Sequence, residues 1–213
     1  MSLAAFFDIH TVALTLLGYP LSYLELFGTL FNLASVVLVA RRRIENWPVG
    51  LVGVVLFLSL FYQIRLYADT FEQVYYLAAG FYGWALWARA SQQPGWQGAF
   101  GFSSPRGMAF AAGLTLLLSL GAGWLIARLD LFWPALFPEP ASFPYLDALT
   151  TLMSFTATIL MAQRRTESWV YWILVDVIGI GLYFAKGVVF ISALYAIFLV
   201  LAAGGLRAWK RAG

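Results

Sequence analysis

The sequence predicts an all-α integral membrane protein of seven transmembrane helices, arranged as two parallel three-helix repeats joined by one further crossing (3+1+3). Three observations predict it: the composition, the spacing of apolar runs, and an internal duplication. Of the 213 residues, 62% are hydrophobic and 11% charged, and the mean hydropathy is +0.81. A soluble domain carries about 25% charged residues, so the solvent of this surface is the bilayer. The duplication is direct. Ala40-Arg41-Arg42-Arg43-Ile44-Glu45-Asn46-Trp47 returns 122 positions later as Ala162-Gln163-Arg164-Arg165-Thr166-Glu167-Ser168-Trp169. In that register Glu25 answers to Asp147, Thr29 to Thr151, Gly83 to Gly205, Trp87 to Trp209 and Arg89 to Arg211. Repeated halves in a membrane can rock against each other around a ligand site, which is the plan of a transporter.

The chain opens with an apolar stretch, Leu3 to Leu17, that holds Asp8 and His10 and has no basic start. That argues against a cleaved signal peptide. At about 15 residues it falls short of the roughly 20 a crossing needs. It is expected as an interfacial or partly embedded helix, broken at Pro20, so residues 1–22 form an N-terminal interfacial segment.

Apolar runs of spanning length follow at 23–40, 47–64, 71–88, 107–127, 146–162, 169–186 and 190–208. The first three make one repeat, residues 23–89, and the last three the second, residues 146–213. Residues 90–145 link them through a polar connection (Gln92 to Pro105), the fourth crossing, and a stretch from Phe132 to Pro144 whose prolines cannot continue a helix.

With the Arg41–Arg43 loop placed in the cytoplasm, ten of the 13 Lys/Arg lie inside and only Arg65, Arg128 and Lys186 outside. The positive-inside rule then sets the N-terminus outside and the C-terminus in the cytoplasm. A direct fusion of two three-helix units would invert the second. The matching basic loops face the same way, so the extra crossing near 107–127 is required.

Much chemistry is excluded. There are no cysteines, and His10 is the only histidine, so thiolate sites, histidine metal sites and histidine triads cannot form. No phosphate-binding GxxxxGK[ST] loop is present. No cofactor, metal or nucleic acid is expected, nor enzyme activity; the basic residues sit at segment ends rather than along one face.

Asp176 is the most costly residue to place, because an acid at mid-membrane costs about 2.5–3.5 kcal/mol even on the lower scales. Helical spacing aligns it with Trp169, Trp172, Ile180 and Tyr183. Two readings stand: a hydrogen-bond anchor to a neighbouring helix, or the wall of a pocket for a flat, hydroxylated or cationic ligand. The first-half counterpart reads Trp47, Gly50, Val54 and Phe61, which keeps one indole and loses the acid.

Polar stripes mark the first and fifth crossings: Glu25, Thr29 and Asn32, and Asp147, Thr151, Ser154 and Thr158. Glu25 and Asp147, near the ends, read as structural, whereas Asn32 and Ser154 lie deeper and are pocket candidates. In the third crossing Gln73 and Tyr76 offer hydrogen bonds and stacking, while Gly80 and Gly83 allow close helix packing. Tyr195 is the counterpart of Gln73. Trp87 and Trp209, beside Arg89 and Arg211, read as members of an interfacial aromatic belt. The basic loops read as topogenic, with Glu45 and Glu167 neutralising part of their charge; a grip on phosphate or a cytoplasmic partner is the alternative.

Glu45-Asn46-Trp47-Pro48-Val49-Gly50, Leu66-Tyr67-Ala68-Asp69 with Gln73, and Tyr82-Gly83-Trp84 resemble the first half of the PnuC-type vitamin transporters. Trp169-x-x-Trp172-x-x-x-Asp176-Val-Ile-Gly-Ile-Gly-Leu-Tyr183-x-x-Lys186-Gly187 resembles the second, so the likeness runs over residues 23–211. The resemblance implies an architecture similar to the SWEET sugar transporters. It also implies uptake of nicotinamide riboside across a bacterial inner membrane by facilitated diffusion, trapped by a cytoplasmic kinase that phosphorylates the product. Related branches carry thiamine or riboflavin. Gly53 stands where many nicotinamide riboside members are expected to carry Asn, which keeps thiamine open.

In the pocket expected here, Trp169, Trp172 and Tyr183 stack on the base, and Asp176, Gln73 and Asn46 hydrogen-bond ribose hydroxyls or ring substituents, with Asn32, Trp47, Tyr76, Ser154 and Tyr195 as further contacts. Gly50, Gly53, Gly179 and Gly181 would let the helices shift. The expected partners are a small vitamin precursor, the lipid bilayer, a functionally coupled kinase and further copies of the chain. A non-transporting membrane scaffold is the competing class.

Overall fold

Long apolar runs with polar ends form helices because a bilayer leaves backbone groups no other partners. The computed structural model describes residues 2–16, 18–96, 99–185 and 189–211, without the side chains of Ala4, Tyr67, Ala68, Val189 and Phe190. Leu17, Lys186 and Gly187, named above, lie outside the described residues. The elements are α1 (Leu3–Phe7), β1 (Val12–Leu16), β2 (Tyr19–Ser22), α2 (Tyr23–Ala40), α3 (Asn46–Gln63), α4 (Tyr67–Ala90), α5 (Pro105–Ile126), α6 (Leu129–Phe132), α7 (Pro144–Ala162), α8 (Ser168–Ala185) and α9 (Val189–Lys210).

Six of these helices are long and apolar enough to cross a membrane: α2, α3, α5, α7, α8, and α9 from Ile191. The 18 residues of α2 rise about 27 Å, close to the roughly 30 Å of a hydrocarbon core. The helix at the expected third crossing, α4, has 24 residues but does not meet the same standard of hydropathy. Its first two turns carry Asp69, Thr70, Glu72 and Gln73.

The N-terminal segment departs from expectation. Helix is confined to α1, capped by Ser2, whose Oγ accepts from Ala5 N at 3.2 Å. Asp8 then turns the chain, its Oδ1 accepting from His10 N at 2.9 Å and its Oδ2 from the Thr11 hydroxyl at 3.2 Å. An antiparallel hairpin follows, pairing Thr15 with Pro20 and Leu16 with Tyr19. The β-branched Thr11, Val12 and Thr15 favour strand, and Gly18 supplies the turn at φ +83°. The segment folds back onto its own unit. Phe6 packs on Phe27 at 5.6 Å, Ile9 joins the cluster around Leu24, Leu56 and Leu60, and Gln63 Nε2 donates to Phe7 O at 2.9 Å.

Ser22 and Glu25 form a capping box at the start of α2, and Tyr19 OH donates to Glu25 Oε1 at 2.9 Å. The structural reading of Glu25 agrees with this. Helices α2, α3 and α7 end alike. In α2, Arg42 N donates to Val39 O and Arg43 N to Leu38 O; in α7, Arg164 N donates to Met161 O and Arg165 N to Leu160 O. Arg42, Arg65 and Arg164 sit at φ 56°, 61° and 61°, the left-handed position that closes a helix end in this bonding pattern.

The chain divides into two compact units, Met1–Ala99 with Arg207–Gly213, and Phe100–Leu206. In the first, α3 packs against α2 and α4; in the second, α7 packs against α5 and α8. Trp87 and Trp209, expected in an interfacial belt, are instead fully buried in the first unit. Their rings lie 6.2 Å apart, Trp87 meets Trp47 edge-on at 5.6 Å, and Trp209 Nε1 donates to Val39 O at 3.1 Å. The neighbouring arginines are exposed while the indoles turn inward, because two steps along a helix rotate the side chain by about 200°.

Candidate substrate-binding site

The second unit gathers the strongest candidates on α8 and α9. Asp176 stands in the middle of α8, flanked by Val175 and Val177, and is only 4% exposed. Among the described residues, no hydrogen bond or ion pair engages its carboxylate. One turn further on, Gly179 carries no side chain, and the Tyr195 ring of α9 fills that space; a Cβ there would sit 2.6 Å from the ring. Tyr183, a further turn along, stacks on Tyr195 with centroids 5.4 Å apart and planes 20° apart. The acid and the two phenol rings therefore lie within two turns on one side of α8. Trp172, one turn before Asp176, is half-buried. Sequence reasoning did not single out Ser192, which is buried and donates to Ile180 O at 3.0 Å, tying α9 to α8. Its spacing of three from Tyr195 was the available signal.

Trp169 behaves differently from its stripe. It is 1% exposed and packs into the space left by Gly205, where a Cβ would fall 2.5 Å from the indole. Trp47 does the same with Gly83 in the first unit. These two indoles occupy matched positions in the duplication, each wedged against a glycine of its own unit.

The first-unit candidates are distributed along α2, α3 and α4. Asn46 opens α3, 3% exposed, with Nδ2 donating to Arg43 O at 2.6 Å and its backbone carbonyl accepting from the Ser35 hydroxyl at 2.9 Å. It holds the basic loop to the helix. Ser35 in turn fills the space over Gly50, and Asn32 lies against Gly53, where a Cβ would be 3.1 Å from the amide. Gly50, Gly53 and Gly179 are thus close-packing positions, whereas Gly181 faces open space. On α4, Gln73 is buried and Tyr76 half-buried, edge-on to Tyr75 at 5.6 Å. Ser154 is buried on α7.

The two basic loops differ in their acids. Glu45 is exposed and pairs with Arg43 at 2.8 Å, and that hydrogen-bonded guanidinium holds its carboxyl down at about 2. Glu167 is 5% exposed and accepts from Ser103 N with both oxygens at 3.2 Å. Just before it, Gly101 bonds on either side of Arg165, donating to Arg164 O and accepting from Thr166 N. The expectation that both acids neutralise loop arginines holds for Glu45 only; the linker brings a backbone donor to Glu167.

Comparisons with known proteins agree with this picture. The nicotinamide riboside transporter PnuC of Escherichia coli (strain K12) is 31% identical over 90% of this chain and 87% of its own. The riboflavin/roseoflavin transporter RibM of Streptomyces davaonensis is 29% identical over 94% and 91%. A crystal structure of the vitamin B3 transporter PnuC superposes with a TM-score of 0.62 at 23% identity, covering 89% of this chain and 81% of that one, so the fold is shared. The model of the nicotinamide mononucleotide transporter family matches residues 22–211. The chain belongs to that family, and is a multi-pass transmembrane transporter of the PnuC type.

Proposed function

We propose that this protein takes up nicotinamide riboside across a bacterial inner membrane by facilitated diffusion, with phosphorylation by a cytoplasmic kinase preventing the product's return. The observation that carries the substrate reading is the Asp176 carboxylate, buried yet unengaged among the described residues, beside the stacked Tyr183 and Tyr195. A carboxylate accepts hydrogen bonds from ribose hydroxyls and balances a pyridinium charge, and aromatic faces stack on a cationic ring. Trp172, Asp176, Tyr183 and Tyr195, all within the second unit, are the proposed contacts. Trp47, Trp169, Asn46 and Ser154 support the helices that carry them. The proposed topology has seven crossings, counting α4, in a SWEET-like 3+1+3 order with the N-terminus outside. In this reading the polar face of α4 is tolerated because it is turned to protein or substrate rather than lipid.

A second reading, riboflavin transport, is favoured by the similarity to RibM. Calorimetric titration of the purified protein with nicotinamide riboside, riboflavin and thiamine separates the substrates. Binding of nicotinamide riboside alone is expected, and tight riboflavin binding without it would overturn the assignment. Uptake into proteoliposomes is expected to survive a protonophore, whereas immediate collapse would remove facilitated diffusion.

A further inference from the structure

A groove of about 400 Å³ opens on the second unit among α5, α7 and α8, and none of the proposed substrate contacts lines it. Its walls are Met108, Ala111, Ala112 and Leu116 of α5, Met153 of α7, and Val170 and Leu174 of α8, with Leu149 and the hydroxyl-bearing Thr115 and Tyr171 beside them. Ala111 and Ala112 are what make it a groove: small side chains face the larger Val170 and Leu174 across the gap. Its rim is exposed, with Leu116, Val170 and Leu174 each at least 40% accessible. These are surfaces of membrane-crossing helices, so the medium at the rim is hydrocarbon.

The groove has direction. At one end it is lined by Phe102 and Glu167, at the starts of α5 and α8. From Met108 to Leu116 it runs along α5 for about 12 Å into the span. The shallow end carries positive charge: Arg106 lies two residues before Met108, and Arg165 two before Glu167. Both are exposed, and neither is in an ion pair among the described residues. Gly101 pairs its backbone with the two residues flanking Arg165, so these two chain segments share one edge. The one acid at that end, Glu167, is already held by Ser103 N. Apolar walls running into the bilayer below a pair of uncommitted guanidinium groups at its surface match the two parts of one molecule type.

We propose that this groove binds an anionic phospholipid, with an acyl chain along Ala111, Ala112 and Leu174 and the headgroup phosphate on Arg106 and Arg165. Guanidinium suits phosphate because it donates in a fork that matches two oxygens. The protein would thus carry a lipid site separate from its transport site.

Native mass spectrometry of the purified full-length protein tests this, after exchange into lipid-free detergent and addition of phosphatidylglycerol or of phosphatidylcholine with the same chains. The wild type is expected to prefer phosphatidylglycerol by about thirtyfold for two basic groups, because its phosphate charge is not offset by a choline cation as in phosphatidylcholine. Ala112→Phe, which fills the groove, should lose the retained lipid. The double variant Arg106→Gln/Arg165→Gln, changed only at exposed positions and so expected to fold, should keep a lipid but bind both headgroups equally. Equal retention by the wild type overturns the proposal, as does a preference unchanged in the double variant. Displacement of the lipid by soluble glycerol phosphate would also overturn it, since no chain would then be needed. So would a dimer that dissociates in Ala112→Phe, since a second copy would then be the occupant.

Discussion

The two copies of the duplicated segment keep one skeleton and spend their differences in two places. Both end a helix on a left-handed arginine, both wedge an indole (Trp47, Trp169) against a glycine (Gly83, Gly205), and both follow with a buried indole (Trp87, Trp209). They part at the middle of the following helix, where Val54 stands in one and Asp176 in the other, and at the loop acid, exposed as Glu45 and buried as Glu167. Space is traded in the same register. Gly50 is covered by Ser35, whereas the second copy has Trp172 at the first position and the fully buried Ala157 at the second. What is duplicated is packing; what has diverged is the polar chemistry that a ligand or a linker can use.

The largest break in that comparison should come at Asp176. Asp176→Asn keeps the shape and removes the charge, so nicotinamide riboside binding should weaken by about 10- to 150-fold, the worth of a hydrogen bond to a charged group. Thermal stability should not fall, because a buried carboxylate has been relieved. Calorimetric titration of the variant checks this, and unchanged affinity would assign Asp176 a purely structural place. The converse change, Val54→Asp, puts an acid into the copy that lacks one. It should disfavour insertion of α3 by about 2.5–3.5 kcal/mol without adding a ligand site, readable in a glycosylation-mapped insertion assay.

The shared skeleton should break next. Gly83→Ala and Gly205→Ala each place a methyl into a buried indole. Alanine's better helix propensity offers at most about 1 kcal/mol, against roughly 1–3 kcal/mol for overpacking. Both variants should therefore melt earlier, by similar amounts, in the same detergent. If only one does, the two wedges are not equivalent. Their likeness would then be one of sequence alone.

Part of this was legible in the sequence and part was not, for identifiable reasons. Hydropathy located the long helices because burial in lipid demands a continuous apolar run. It left α4 ambiguous because buried Gln73 and its neighbours lower the average. The N-terminal hairpin escaped because its apolar content matched an interfacial helix; Thr11, Val12, Thr15 and Gly18 were the strand and turn signals. Trp87 and Trp209 were misplaced by their arginine neighbours. Each follows its packing glycine, Gly83 or Gly205, at i+4, which puts indole and glycine on one face, and that spacing was the better guide. The stacking of Tyr183 on Tyr195 could not be read, since it depends on how α9 returns along α8.

The loop acids should separate more modestly. Glu167→Gln loses a charged acceptor for Ser103 N at a site 5% exposed, and should cost about 1–3 kcal/mol by chemical denaturation. Glu45→Gln breaks only a surface pair and should lower the midpoint far less. The pH dependence has a defined sign. Glu45 is held at about 2, below its ordinary 4.5, so its contribution is present above pH 4.5 and is lost as pH falls toward 2. Because the pair is exposed, salt should erase that contribution. A salt-resistant effect of Glu45→Gln would mean that the first loop is clamped as the second is.

The smallest expected effect is also the one that tests equivalence most directly. Arg42 and Arg164 hold left-handed backbone at φ 56° and 61°, a conformation that costs an L-residue roughly 1 kcal/mol and glycine almost nothing. Arg42→Gly and Arg164→Gly should therefore each stabilise the fold by up to about 1 kcal/mol, less what the cation contributes at a helix C-terminus, about 0.3–1 kcal/mol. The two gains should match, because both helix ends are closed by the same pair of backbone hydrogen bonds. If Arg164→Gly gains less, its loop owes its shape to the backbone pairing with Gly101 rather than to the helix end. The linker, absent from the first copy, would then be what sets the second.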